Sequence, residues 1–97
     1  MPLSSEEKSN LTAIVEKHNE QGFTLYVPER TPLTTQPEGT TPWRSMNLDD
    51  LVHYHAYLIE LALIKEGAVP SRDYSLMDVI KLAQPYAVAA YSDNLRM

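Results

Sequence analysis

The clearest pattern of apolar and polar positions lies between residues 47 and 66, where apolar side chains recur at helical spacing. Placing residues at intervals of about 100° gathers one broad apolar face and leaves a thin polar stripe. Asn47 and Asp50 have the spacing of a capping box, and Gly67 ends the segment. The pattern predicts a central helix over 47–66. Its apolar face comprises Leu48, Leu51, Val52, His55, Leu58, Ile59 and Ala62, and its polar stripe comprises Asp49, His53 and Glu60.

The segment over 4–21 has a narrower apolar stripe at the same helical spacing. Ser4 and Glu7 match a capping box, and Gly22 follows the last periodic residue. We therefore expect a first helix over 4–21 that lies on the outside of the core.

A third periodic segment extends over 75–91. Ser75 is its predicted cap, and the apolar positions keep one helical phase through Pro85, which favours one kinked helix over two separate helices. The chain over 92–97 is expected to fray. The predicted fold class is therefore mainly α, with three helices forming a single small domain over 1–97.

Between the first two helices the pattern changes. Residues 23–27 alternate Phe, Leu and Val with Thr and Tyr, which predicts a short β-strand. Four prolines and many threonines over 28–46 oppose both helix and sheet and predict a long loop. A lone strand leaves backbone N–H and C=O groups without partners, so it pairs with the loop, with a second copy or with another protein.

Composition narrows the function by exclusion. The net charge is −5 and the eight basic residues are dispersed, which argues against a nucleic-acid partner. There is no cysteine, so disulfides, thiolate nucleophiles and cysteine-ligated metals are excluded. Apolar runs such as Leu61 to Ile64 are far shorter than the ~20 residues that cross a bilayer, and the N-terminal residues do not resemble a secretory signal. We expect a cytoplasmic protein with no membrane partner.

Histidine is the remaining candidate for acid–base or metal chemistry. His53 and His55 are separated by about 200° on a helix and cannot share a metal ion. Asp49 lies one turn from His53, but no third ligand is evident, so we expect an exposed pair, no cofactor, no metal and no enzyme. His55 is expected to be buried with a hydrogen-bond partner, or alternatively to act as a pH-sensitive residue or part of a ligand pocket.

The predicted contact surface combines the strand with the end of the loop. Trp43 and Arg44 are residue types enriched at interface hot spots, and Phe23, Leu25 and Tyr26 belong to the strand. The alternative is that Trp43 folds back over the core. These residues predict a non-enzymatic interaction module or regulator that binds a protein partner or a second copy. The rival hypothesis is a structural or adaptor subunit of a larger assembly, such as a virion or a secretion complex.

Overall fold

Three α-helices carry the fold, as the periodicity predicts. The computed structural model describes residues 5–21, 25–31, 33 and 41–96. Within these ranges there is no β-sheet, and the mainly α fold class is confirmed. The elements are α1 (Ser5–Gln21), a short 3-10 helix (Trp43–Ser45), α2 (Leu48–Lys65) and α3 (Leu76–Arg96).

α2 and α3 pack against each other in antiparallel orientation. Near their connection, Leu63 of α2 shares a buried cluster with Val79 and Ala83 of α3. At the opposite end, Leu51 shares a second buried cluster with Ala87. The small alanine side chains on α3 let the two helices approach closely, because interaxial distance depends on the side chains at the contact. This helical pair is the framework on which the rest of the chain lies.

α1 lies against this framework at the end near the connection. Leu11 and Val15 are buried in the cluster that also holds Leu63. Beyond them, the Nε2 atom of His18 lies 2.8 Å from Oε1 of Glu66, the residue that follows α2. This hydrogen bond, with the nearby ammonium group of Lys17, holds the pKa of the Glu66 carboxyl below its usual value. α1 is therefore attached by both apolar packing and polar contacts.

The predicted boundaries of α2 are confirmed by its caps. The backbone N–H of Asp50 donates to Oδ1 of Asn47 at 2.8 Å, and the backbone N–H of Asn47 donates to Oδ2 of Asp50 at 3.4 Å. The helix ends at Lys65, and Gly67 follows with φ of 92°, a left-handed conformation that favours glycine. The cap predicted for α1 at Ser4 lies outside the described residues.

α3 begins as predicted but ends later. The backbone N–H of Asp78 donates to Oγ of Ser75 at 3.3 Å, and the helix continues through Pro85 as a single element. It reaches Arg96, so residues 92–96 of the tail that was expected to fray are helical.

Contacts to distant parts of the chain account for the longer α3. The hydroxyl of Tyr26 donates to the carboxylate of Asp93, and Nδ2 of Asn94 donates to the carbonyl of Trp43 at 2.9 Å. These bonds tie the last turns of α3 to the segment that precedes α2. The sequence around the end of α3 does not indicate that Tyr26 and Trp43 are its partners.

The strand predicted over 23–27 is not present in its described part. Within the described ranges, residues 25–27 have no ladder partner and form an irregular segment in which Leu25 and Tyr26 are buried. The N–H of Leu25 donates to Oδ1 of Asn19 at 2.7 Å, and the N–H of Tyr26 donates to Nε2 of His55 at 3.2 Å. Side chains therefore satisfy the backbone groups that a sheet would have satisfied. Positions 23 and 24 lie outside the described residues.

The predicted loop over 28–46 is irregular where it is described. At its start the N–H of Thr31 donates to the carbonyl of Val27 at 2.7 Å and closes a turn. At its end, residues 43–45 form the 3-10 helix. Thr31 is buried, as is Leu33, so this part of the loop lies against the helices.

Candidate interaction surface

The predicted contact residues are found mainly in the interior. Leu25, Tyr26 and Trp43 are 2%, 3% and 1% exposed. Arg44 is exposed, whereas Phe23 lies outside the described residues. Trp43 covers the core, which is the alternative that its position in the sequence left open. In this fold the three buried side chains present almost no surface to a partner.

Trp43 lies at the centre of an aromatic cluster. Its ring packs edge-on against Tyr26, with ring centres 5.1 Å apart, and against Tyr54 at 6.3 Å. It lies near-parallel to the ring of His55 at 6.1 Å, and His55 in turn stacks on Tyr86 at 6.4 Å. Edge-to-face and offset-stacked arrangements are favoured by the charge distribution of aromatic rings. The aromatic cluster thus joins four separate parts of the chain. Its members are Tyr26, Trp43, Tyr54, His55 and Tyr86.

Both nitrogens of His55 are engaged. Nε2 faces the backbone N–H of Tyr26 at 3.2 Å, and Nδ1 lies 2.8 Å from the carbonyl of Leu51. Because a backbone N–H can only donate, Nε2 must accept, and the ring proton is on Nδ1 and is donated to Leu51. Burial lowers the pKa of His55 from its usual value. His55 is therefore a neutral structural residue, and neither nitrogen is available to a ligand.

The hydroxyl of Tyr26 makes the second polar contact of this region. Burial, together with the hydrogen bond to Asp93 and the negative charge of that carboxylate, raises the pKa of Tyr26 to about 12. The phenol consequently remains protonated and keeps donating to Asp93 over the physiological pH range. Tyr26 thus uses its backbone to contact α2 and its side chain to contact α3.

The Asp49 and His53 pair lies at the surface, where the sequence predicts it. Nδ1 of His53 is 2.8 Å from the carbonyl of Asp49 and 3.6 Å from its carboxylate Oδ1. The two side chains are 83% and 64% exposed for Asp49 and His53. Among the described residues, no group of three or more histidine or acidic side chains is placed to hold a metal ion.

The side of α2 that faces away from the core carries three large apolar residues at one-turn spacing. Tyr57, Leu61 and Ile64 are 63%, 46% and 45% exposed. We call them the outer stripe. The apolar periodicity of α2 predicts a single core face, and the outer stripe lies outside that face. The available signal was the spacing of four and then three residues from Tyr57 to Ile64, which places them on one side of a helix.

An open cavity adjoins the outer stripe at the N-terminal half of α2. Its volume is about 530 Å³, and its lining includes Met46, Asp50, His53, Tyr54 and Tyr57. The buried hydroxyl of Tyr54 has no hydrogen-bond partner among the described residues. The outer stripe and this cavity together form the candidate interaction surface.

α3 also has exposed apolar residues, but they are more widely spaced. Met77, Val88 and Leu95 are 59%, 52% and 71% exposed. They lie on one side of α3, but the polar residues Lys81 and Gln84 fall between Met77 and Val88 on that side. The outer stripe of α2 is therefore the more continuous of the two surfaces.

Comparisons with known proteins give no relative. No protein-family model matches the chain, and no curated protein or solved structure matches it. No helix within the described ranges is long and apolar enough to cross a membrane. The functional conclusion accordingly rests on the geometry of the described residues.

Proposed function

We propose that this protein is a non-enzymatic protein-interaction module that binds a protein partner through the outer stripe of α2 and the adjoining cavity. The observation that carries the proposal is the exposure of Tyr57, Leu61 and Ile64, at 63%, 46% and 45%, on consecutive turns of one helix. Contiguous exposed apolar surface is a mark of interaction sites, and residues at helical spacing form a face that a partner helix or groove can cover.

The interior supports this surface by holding α2 in place. On the inner side of the helix, Leu51, Ile59 and Leu63 are 0%, 1% and 0% exposed, and His55 is bonded on both ring nitrogens. A binding surface on a rigid element loses less conformational entropy on association than one on a loop. The proposed contact therefore lies on α2, which Trp43 helps to hold in place, and not on the loop around Trp43 that the sequence predicted.

Site-specific photo-crosslinking in cells of the native source tests the proposal. A benzophenone amino acid replaces Tyr57 in one variant and Val88 in a matched control, since Val88 is 52% exposed on the other helix. We expect covalent protein adducts from position 57, and their loss when Leu61→Asp is added. Absence of adducts at position 57, or adducts that survive Leu61→Asp, would contradict the proposal.

A second candidate function is a structural or adaptor subunit of a larger assembly. The exposed residues Met77, Val88 and Leu95 of α3 favour it, because a subunit inside an assembly contacts neighbours on more than one side. The same crosslinking experiment separates the candidates. Different adducts from positions 57 and 88 would support the assembly subunit, whereas adducts from position 57 alone would support the module.

A further inference from the structure

We infer that the outer stripe of α2 binds the outer stripe of a second copy of this chain, with the two helices antiparallel and Tyr57 on the two-fold axis. This inference rests on the proposed function and specifies the partner. Its basis is a pattern of spacing, charge and shape on α2 that is complementary to itself.

The spacing is that of a helical seam. Asp50, Tyr54, Tyr57, Leu61 and Ile64 follow one another at intervals of four, three, four and three residues. This alternation places every member on one side of a helix and is the repeat that brings two helices together along their length. α2 has 18 residues, so the seam occupies almost the whole helix.

The charges along the seam favour the antiparallel orientation. Asp49 and Asp50 lie in the first turn of α2 and Lys65 lies in the last. In a parallel pair, the two copies of Asp50 would face each other and repel. In an antiparallel pair, Asp50 approaches Lys65 of the second copy, and the two helix dipoles also oppose each other favourably.

Side chains beside the seam are also complementary to each other in the antiparallel orientation. His53 lies four residues before Tyr57, and Glu60 and Leu61 lie three and four residues after it. With Tyr57 on the two-fold axis, His53 of one copy therefore lies beside Glu60 of the other. His53 and Glu60 fall on the same flank of the helix, so the contact is sterically direct and occurs twice in the pair.

The cavity provides the matching shape. It is lined by residues of the N-terminal half of the seam, including Asp50, Tyr54 and Tyr57. The antiparallel arrangement brings Leu61 and Ile64 of the second copy, which are about half-exposed in the single chain, to this position. An aliphatic side chain seated between Tyr54 and Tyr57 is a knob in a hole, and each copy supplies one knob region and one hole.

Sedimentation equilibrium of the purified full chain tests the inference. At physiological salt, we expect the measured mass to rise from that of one chain to that of two as the protein concentration increases from about 1 μM to 1 mM. Dissociation constants in this range are those expected of a single small helical interface. Leu61→Asp should keep the chain monomeric up to the highest concentration. Val88→Asp, on α3, should leave the dimerisation unchanged. Circular dichroism of each variant establishes that its helix content matches the parent chain.

A charge exchange tests the orientation. His53→Glu places two carboxylates beside each other at both symmetric contacts and should weaken dimerisation about fivefold, the effect expected of two exposed pairs. Adding Glu60→Lys to His53→Glu should restore the parent affinity. Failure of the second change to restore affinity would overturn the antiparallel register.

Two outcomes separate this inference from the proposed function. A chain that stays monomeric up to about 1 mM, or a dimer that survives Leu61→Asp, would overturn pairing with a second copy. If position 57 nevertheless crosslinks to a different protein in cells, the interaction module stands with another partner. If position 57 crosslinks to nothing, the proposed function fails as well.

Discussion

The two sides of α2 differ in how far their large side chains are exposed to solvent. His55 on the inner side is 0% exposed, whereas Tyr57, two residues later, is 63% exposed. The inner side contacts segments from three parts of the chain, through Trp43, Tyr26 and Tyr86. The outer stripe has no comparable cover in the described structure. Folding free energy therefore concentrates on one side of the helix, and the surface available to a partner lies on the other.

This comparison implies that the two sides are separable by mutation. Inner-side substitutions should reduce the free energy of unfolding of the isolated chain. Outer-side substitutions should reduce association while leaving the dilute monomer almost as stable as before.

Trp43→Ala should have the largest effect on stability. Trp43 is 1% exposed and contacts three other rings, so we expect a loss of about 3–5 kcal/mol in the free energy of unfolding. Urea unfolding followed by circular dichroism measures it. Tyr57→Ala, measured at a concentration where the chain is monomeric, is the control and should cost less than about 0.5 kcal/mol. Equal costs for the two substitutions would contradict the contrast between the sides.

Tyr26→Phe should have an intermediate effect. It keeps the buried ring but removes the hydroxyl that donates to the Asp93 carboxylate, and we expect a loss of about 1.5 kcal/mol. Tyr57→Phe is the matched control, because its hydroxyl is on the exposed side. A loss for Tyr26→Phe no greater than for the control would mean that this bond does not hold the end of α3.

Protonation of His55 should make the free energy of unfolding depend on pH. We expect this effect to be smaller than those of the two substitutions above. Burial lowers the pKa of His55 in the folded chain, while the unfolded chain titrates near the ordinary value of about 6.5. The unfolded state therefore binds the proton first as the pH falls. The stabilisation is complete above pH ~6.5 and is lost as the pH decreases toward the folded pKa, by up to about 1.4 kcal/mol per pH unit.

His55→Gln, which does not titrate, should show a smaller loss of unfolding free energy between pH 7 and pH 5 than the parent chain. His53→Gln makes the same change at an exposed histidine and is the matched substitution. Identical pH profiles for His55→Gln and the parent chain would mean that His55 takes up its proton without disturbing the fold.

Leu61→Ser should have the smallest effect on the monomer. Leu61 is 46% exposed, so we expect a change below about 0.5 kcal/mol in urea unfolding at low concentration. The same variant should bind a second copy less well than the parent chain. A large loss of monomer stability would show that Leu61 belongs to the core.

The helices were predictable because their signals are local. The Asn47 and Asp50 cap, the Ser75 start and the constant phase through Pro85 each depend on residues within a few positions of one another. Local rules of this kind translate directly into structure. The end of α3 was missed because Asp93 and Asn94 bond to residues far away in the sequence.

The segment around Tyr26 was mispredicted for a related reason. Alternating apolar and polar residues fit a strand, but they also fit an irregular segment that is buried on one side. Asn19 and His55 supply the hydrogen bonds for Leu25 and Tyr26, and the distance in sequence to His55 is 29 residues. The outer stripe was missed because α2 is apolar on more than one side, and periodicity alone identified only the side that meets the core.

Disulfide trapping of the two-fold contact tests the central claim most directly. The chain has no cysteine, so Tyr57→Cys introduces a single thiol at the proposed axis, and Val88→Cys introduces one at a comparably exposed site on α3. A disulfide requires its two Cα atoms to lie within about 7 Å. We predict that mild oxidation converts the Tyr57→Cys chain to a covalent dimer much faster than the Val88→Cys chain, and that Leu61→Asp abolishes the difference. Equal rates of dimer formation at the two positions would contradict the account.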